Sequence, residues 1–512
     1  MIRNDIVRVY REVHSWVGIL SGLFLFIAFY AGALSMFEEE IQRWASPPLQ
    51  MEYITPIEQS QDLIDAVIQK HPGAAKNFNI ILNPSPEYPA RMHWQERDPG
   101  ADDHAPAVNY FADFGPDKEL IVSKEKASIV GQLIDTIHQQ VGILIDHELA
   151  MPITGIVSAL YALALVSGLI ILLPTLLKDL FALRLAGKFK RKWLDIHNLL
   201  GVFSFPFHLI MALTAVVFAL HDYFYSSQMV TIHKDSTAPR TGPPAVAAPS
   251  SDSTYYPIDQ LLKDLAVSAP EFKPEILNYR QGRGEKPKHM LFVAGKDPRH
   301  HASRPRHGLV NLNAFTGEIL ATDYMPGRQE ALQATVSSFF ALHFGNYGGS
   351  VTQWIYLVLG LAGAMLFYSG NLLWIEAKRK QNRNKSGFRS DQLLYRLSIG
   401  VSLGCIAGIS SIIAAAKLFP THWQSLASAY TSLYYLVFFA CIGIALLPIK
   451  RDASGILLII CAFTSSLIPL SSVLALSDNT AWNHADSTVL VDILALGFAL
   501  IFAHQGFKRS VL

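Results

Sequence analysis

Val13-His14-Ser15-Trp16-Val17-Gly18-Ile19-Leu20-Ser21-Gly22 opens the first long apolar run of the chain. Ile196-His197-Asn198-Leu199-Leu200-Gly201-Val202-Phe203-Ser204 opens the third. A shift of 183 positions lays His14 on His197, Gly18 on Gly201 and Ser21 on Ser204. In both stretches a histidine stands at the mouth of an apolar run, beside basic residues. An ionisable side chain at the edge of a membrane helix is costly and marks a functional site by default. Its recurrence in an internal repeat strengthens that reading.

The 512 residues are 51% hydrophobic and only 16% charged, with a mean hydropathy of +0.26. An ordinary soluble chain carries roughly 25% charge, so the composition points to a polytopic membrane protein. Eight runs are long enough to span a bilayer: roughly 15–36, 151–173, 198–220, 351–375, 393–416, 428–448, 454–475 and 488–505. Every second junction is basic. Arg3, Arg8 and Arg11 precede the first run. Lys178, Arg184, Lys188, Lys190, Arg191 and Lys192 lie between the second and third. Lys378, Arg379, Lys380, Arg383, Lys385 and Arg389 follow the fourth, Lys450 and Arg451 the sixth, and Lys508 and Arg509 the eighth. The positive-inside rule then puts both termini in the cytoplasm, and the N-terminal run reads as an uncleaved first span.

The fold class that follows is a mainly α membrane protein of eight helices, with two outer α+β units. Span one (1–36) leads to the first outer loop (37–150). Spans two (151–173) and three (198–220) flank a basic inner loop (174–197). The second outer loop (221–350) carries a Pro/Ala/Ser-rich linker at 237–254. Span four (351–375) and an inner loop (376–392) precede a C-terminal bundle of four more spans (393–512). The two outer loops share an order of elements. Pro56-Ile57-Glu58-Gln59 and Pro257-Ile258-Asp259-Gln260 each open an amphipathic helix. Strand-like segments follow around Phe78–Leu82, Ala90–Trp94 and Val108–Phe111, and around Ile276–Tyr279, Met290–Val293 and Leu309–Leu312, with a hairpin turn at Asn313–Glu318.

Four of the eighteen histidines stand at the ends of the first four spans. His14 and His197 are on the inner side; His138 and His343 are on the outer side. Ser167-Gly168 and Ser369-Gly370 recur at similar distances beyond the outer pair. Facing histidines at one depth of a four-helix bundle suit a b-type haem, each imidazole supplying one axial nitrogen. His208 lies 11 residues beyond His197. It reads as a supporting or proton-relay residue, with axial ligation as the alternative. Arg299, His300, His301, Arg304, Arg306 and His307 form the most basic point of the outer loops. They read either as a solvated loop or as a docking patch for an anionic ferric chelate. Cys405, Cys441 and Cys461 lie in apolar runs, so no disulfide framework is expected, and the absence of Cys-x-x-Cys-His excludes covalent c-type haem. No nucleotide-binding glycine loop and no hydrolase motif occurs. The electron donor must then be separate.

Val13-His14-Ser15-Trp16, Trp193-Leu194-Asp195-Ile196-His197-Asn198-Leu199-Leu200-Gly201 and Leu342-His343-Phe344-Gly345-Asn346-Tyr347-Gly348-Gly349 resemble the PepSY-associated transmembrane family. Its members include iron-regulated inner-membrane proteins and ferric-siderophore reductases of Gram-negative bacteria. The resemblance spans roughly residues 8–380 and is partial around His138. It implies two haem b in a four-helix core, PepSY-like outer units, and electron delivery from the cytoplasmic side to a periplasmic ferric siderophore. The implied ligands are His14, His138, His197 and His343. The expected partners are the ferric siderophore, a cytoplasmic or quinol donor and membrane lipids, with no nucleic acid. Rival readings are a haem reductase with another acceptor (a quinone or cupric ion) and a non-redox PepSY-bearing binding or transport subunit.

Overall fold

A computed structural model describes residues 4–47, 49, 51–96, 108–125, 127–175, 189–231, 244–249, 253–282, 287–300, 307–381, 390–419, 427–448, 453–477 and 486–511. The chain divides into two compact units, one formed by residues 1–46, 128–234 and 353–512, the other by 47–127 and 235–352.

The first unit is helical. Its elements are α1 (Asn4–Ser35), α2 (Glu38–Ala45), α4 (Val130–Gln139), α5 (His147–Leu172), α6 (Phe189–Phe203), α7 (Phe205–Thr231), most of α10 (Gly349–Gln381), α11 (Ser390–Leu418), α12 (Ala427–Leu446), α13 (Ala453–Ser477) and α14 (Asp486–Val511). Among the described residues, eight helices are long and apolar enough to cross a membrane: α1, α5, α7 and α10 to α14. The chain is therefore a multi-pass membrane protein, as the apolar runs require. The helices outrun those runs at their polar ends. α1 carries Arg8 and Arg11 in helical conformation before its apolar stretch begins, and α10 carries Lys378, Arg379 and Lys380 in its last turn. The third apolar run is divided at Ser204, ahead of Pro206. Ser204 itself bridges the break: its amide donates to Leu200 O and its carbonyl accepts from His208 N.

The C-terminal bundle is joined to the rest of this unit by two polar clasps. Trp44 Nε1 on α2 donates to Asp492 Oδ1 on α14 at 3.1 Å, and Ser472 on α13 donates to the same oxygen at 2.9 Å. Lys417 on α11 donates to Ser472 Oγ at 3.0 Å and lies 3.9 Å over the Trp44 ring. Tyr435 on α12 closes the turn after α4. Its hydroxyl accepts from Leu144 N at 2.7 Å and donates to Gly142 O at 3.1 Å. That turn holds Val141 at φ 47° and Gly142 at φ 83°. A β-branched residue in the left-handed region is strained, and persists only where its surroundings over-determine it.

The second unit is α+β. Strands β1 (Asn77–Ile81), β2 (Met92–Glu96), β3 (Val108–Phe114), β4 (Leu120–Lys124), β5 (Val246–Ala247), β6 (Lys273–Gln281), β7 (Lys288–Lys296), β8 (Gly308–Leu312) and β9 (Ile319–Tyr324) form one sheet. Helices α3 (Ser60–Lys70), α8 (Ile258–Ser268) and α9 (Ala331–Phe344) accompany it. Where the sequence reading gives each loop its own small unit, the structure joins them. The order is β4-β3-β2-β1-β6-β7-β8-β9, antiparallel throughout, with β5 paired to β7. β1 and β6 meet at the centre, with Phe78 opposite Tyr279 and Ile80 opposite Leu277. The Phe78 and Tyr279 rings stack at 4.8 Å. Alternation drives this: Phe78, Ile80, Leu277 and Tyr279 share one face and meet Leu63, Ile64 and Val67 of α3 and Leu261 and Leu265 of α8 in one core. The Asn313–Glu318 turn is a hairpin, as its composition suggests. Asn313 N donates to Glu318 O, Gly317 N donates to Asn313 O, and Gly317 takes φ 73°.

Candidate functional site: seated histidines

His14 on α1 and His197 on α6 come together. Their ring centres lie 6.3 Å apart with planes at 73°. Each ring is anchored from behind. His14 Nδ1 lies 2.9 Å from Ala164 O on α5, and His197 Nδ1 lies 3.2 Å from Leu366 O on α10. Both acceptors are carbonyls, so each Nδ1 is the protonated nitrogen and each Nε2 is left as the basic one. Neither Nε2 has a hydrogen-bond partner among the described residues.

The two anchors follow one rule. Three residues beyond the carbonyl stands a serine, and four beyond stands a glycine. Ser167 Oγ is 3.3 Å from His14 Nδ1, and Ser369 Oγ is 3.0 Å from His197 Nδ1. A Cβ on Gly168 would lie 3.0 Å from His14 Cε1, and one on Gly370 would lie 3.2 Å from His197 Cε1. The imidazole thus lies against bare helix backbone. In a helix, positions i and i+4 share a face, so the carbonyl and the glycine together make a seat for one flat ring.

His138 on α4 takes a third seat of the same kind. Its Nδ1 lies 2.8 Å from Ala28 O on α1, and a Cβ on Gly32, four residues on, would lie 2.8 Å from its Cε1. From His14 to Ala28 is about 21 Å along α1 at 1.5 Å per residue. The His138 seat and the His14/His197 pair are therefore at different depths of this unit. His343 belongs to the other unit, in the last turn of α9, where Gly345 at φ 62° ends the helix. The structure thus brings His14 and His197 together and places His138 and His343 in separate units.

His208 is fully buried. Its Nδ1 lies 2.5 Å from the Tyr161 hydroxyl, which also reaches His208 O at 3.2 Å. Its Nε2 is buried without a partner. Phe29, Phe207 and Phe367 surround it at 5.4, 5.7 and 6.2 Å. His208 therefore shares no ring contact with the His14/His197 pair and is anchored by a side chain rather than a helix carbonyl.

The room beside the pair is set by two more glycines. Gly18 and Gly201 each stand four residues beyond their histidine. Nothing lies within 4 Å of a Cβ built on Gly18, and only Leu366 Cδ1, at 3.6 Å, approaches one on Gly201. Close by, Trp16 and Trp374 meet edge to face at 6.4 Å, and Lys378 lies over both rings. Trp and Lys at this height are what the polar boundary of a bilayer selects.

Two imidazoles on one iron, with metal–nitrogen bonds of ~2 Å and a nitrogen-to-centre distance of ~1 Å, hold their ring centres roughly 6 Å apart. The observed separation meets that requirement, and the donor set is neutral, as axial ligation demands. Among the described residues no group of three or more His, Cys, Asp or Glu side chains is arranged to hold a metal ion. A two-nitrogen set suits a metal whose other ligands come with a macrocycle.

The basic point of the second loop is partly neutralised. Arg299 pairs with Glu271 at 3.3 Å and with Asp297 at 3.4 Å. His300 pairs with Asp297 at 3.1 Å, and His307 lies 2.8 Å from Glu275. The close His307 and the hydrogen-bonded Lys296 hold the Glu275 carboxyl below its ordinary range against the opposing effect of burial. These described cations are committed to local carboxylates. His301, Arg304 and Arg306 lie outside the described residues. The seats themselves carry only a weak sequence signal: the Ser-Gly pairs are visible, but the carbonyls that receive the rings are not.

Residues 11–377 match the family described as PepSY-associated TM region. The match covers the repeated helices, both long loops and all four seated or terminal histidines, and ends before α11. No curated protein matches the chain.

Proposed function

The chain belongs to the PepSY-associated transmembrane family, and from that premise we propose that it is an inner-membrane di-haem b-type oxidoreductase. It passes electrons from the cytoplasmic side to a periplasmic ferric siderophore and releases Fe(II) for uptake. The observation that carries this reading is the facing of His14 and His197 at 6.3 Å, each with Nδ1 tied to a helix carbonyl.

In this reading His14 and His197 hold one haem, and His138 and His343 are the ligands that the family resemblance implies for the other. Bound haem supplies reversible one-electron storage at iron. Ala164, Leu366 and Ala28 fix the tautomer of three of the four imidazoles, so that Nε2 is the nitrogen presented. Gly18 and Gly201 leave open the space a macrocycle needs. The apolar helices exclude water around the His14/His197 pair. Electrons come from a separate cytoplasmic or quinol donor, since no flavin or nicotinamide motif occurs in the chain. The basic junctions orient both termini to the cytoplasm, which puts His14 and His197 at the donor side. The acceptor is an Fe(III) chelate with hard oxygen ligands, which hold Fe(II) far more weakly.

The test is a visible spectrum of the purified protein, oxidised and dithionite-reduced, with a pyridine haemochrome count. Two haem b per chain are expected, and His14→Ala and His343→Ala should each remove about one. Addition of a ferric chelate to reduced protein should reoxidise it and yield trapped Fe(II). A colourless protein, prepared with ample haem supply, would sink the redox reading in favour of a binding or transport subunit. Reoxidation by quinone or cupric ion alone would replace the acceptor.

A further inference from the structure

The two seats of the His14/His197 pair do more than select a tautomer; they fix the angle between the rings. Rotation of an axial imidazole about its metal–nitrogen bond is ordinarily nearly free. Here each ring is tied at Nδ1 to a carbonyl on a different helix, Ala164 O on α5 and Leu366 O on α10. Each is also pressed at Cε1 against a glycine of that same helix, Gly168 or Gly370. With two points of contact for each ring, the rings stand crossed at 73°.

We propose that Ser167, Gly168, Ser369 and Gly370 are positioning residues that hold the axial imidazoles of one haem crossed, and so set its electronic state. The proposal rests on the haem reading above. Crossed imidazoles leave the two iron orbitals that overlap their π systems nearly degenerate. Ferric iron then gives a strongly anisotropic low-spin resonance, one low-field feature rather than the three-line rhombic pattern of parallel rings. Crossing also withdraws stabilisation from the ferric form, so it raises the midpoint potential.

The seats are unequal, and the inequality is testable. His197 Nδ1 is closer to Ser369 Oγ, at 3.0 Å, than to its carbonyl, at 3.2 Å. His14 Nδ1 is closer to its carbonyl, at 2.9 Å, than to Ser167 Oγ, at 3.3 Å. Removing the Ser369 hydroxyl therefore frees its ring more than removing the Ser167 hydroxyl.

The experiment is electron paramagnetic resonance of the full-length, haem-loaded ferric protein in detergent, with a haemochrome count on each sample. The wild type should show a single low-field feature for one haem. Ser369→Ala should shift that feature toward a rhombic pattern with the haem count unchanged. Ser167→Ala should shift it less, and Ser369→Thr should restore it. Gly168→Ala, whose Cβ would press on His14 Cε1, should move the same signal; should that variant not fold, Ser369→Ala decides alone. Haem present in full amount with only rhombic signals, or a spectrum unmoved by Ser369→Ala, would overturn the seats while leaving the haem reading intact. Absence of haem would overturn both.

Discussion

Tyr435→Phe tests what the C-terminal helices do for the histidine site. The hydroxyl of Tyr435 is a two-way clasp on the turn after α4, accepting from Leu144 N at 2.7 Å and donating to Gly142 O at 3.1 Å. Each such bond contributes a net ~1 kcal/mol, so the substitution should cost the turn about 2 kcal/mol. The turn has little to spare, because Val141 at φ 47° carries strain of ~1–3 kcal/mol. Local opening should rise by roughly 30-fold, which is about 2 kcal/mol in free energy. The assay is hydrogen–deuterium exchange of full-length protein in detergent, read on peptides covering residues 139–146. Exchange should accelerate there and stay unchanged at the His14 and His197 ends of α1 and α6. Because His138 lies one turn before the strained segment, haem held by His138 should dissociate sooner than haem held by His14 and His197. Unchanged exchange at 139–146, or equal acceleration at both levels, would refute the idea that α12 braces the His138 end.

Gly32→Ala should act on the same histidine from the other side. Its Cβ would come within 2.6 Å of His138 Nδ1, so the ring must retreat by about 0.8 Å to reach ordinary contact. Losing such an anchor typically lowers affinity for the bound metal group 10–100-fold; haem transfer to an apo-acceptor should then remove about one haem per chain and spare the other. Tyr161→Phe should leave both nitrogens of buried His208 without partners, at a cost of about 1–3 kcal/mol. The double variant Tyr161→Phe/His208→Leu should recover part of the thermal stability lost, and a further loss would show that His208 has a polar partner. Glu275 carries a carboxyl whose folded-state value is lowered, first by the close approach of His307 at 2.8 Å and also by Lys296. The stability it contributes is present above the ordinary carboxylate range and is lost as pH falls through the lowered value. Resistance of the α+β unit to pulse proteolysis should fall below pH ~4.5, and Glu275→Gln should flatten that fall.

The helical part was legible because a bilayer imposes a length on every span, and eight apolar runs of that length are in the sequence. Helix ends were less legible: Arg8 and Lys378 extend α1 and α10 past the apolar runs, where hydropathy has no signal. The pairing of His14 with His197 could be read because a single offset maps one onto the other with their flanking glycines. The seats could not, since Ala164, Leu366 and Ala28 act through backbone carbonyls that any residue possesses. The basic patch was legible as composition only. Its carboxylate partners Glu271 and Glu275 lie some thirty positions upstream, on the neighbouring strand or just before it. The strands could be found from alternation, but the β1–β6 register joins segments far apart in the chain, and no local pattern encodes that distance.

That central register sets a constraint on how the protein is made. β1 ends at Ile81 and its partner β6 begins at Lys273. Between them the ribosome must add roughly 190 residues, about 10–40 s of synthesis at 5–20 residues per second. Throughout that interval the first loop offers an unpaired strand edge bearing Phe78 and Ile80, the kind of edge that recruits foreign strands. Two further spans must enter the bilayer before the second loop arrives to close it. A slowed or interrupted insertion of α7 should therefore show first as aggregation through the segment that carries β1.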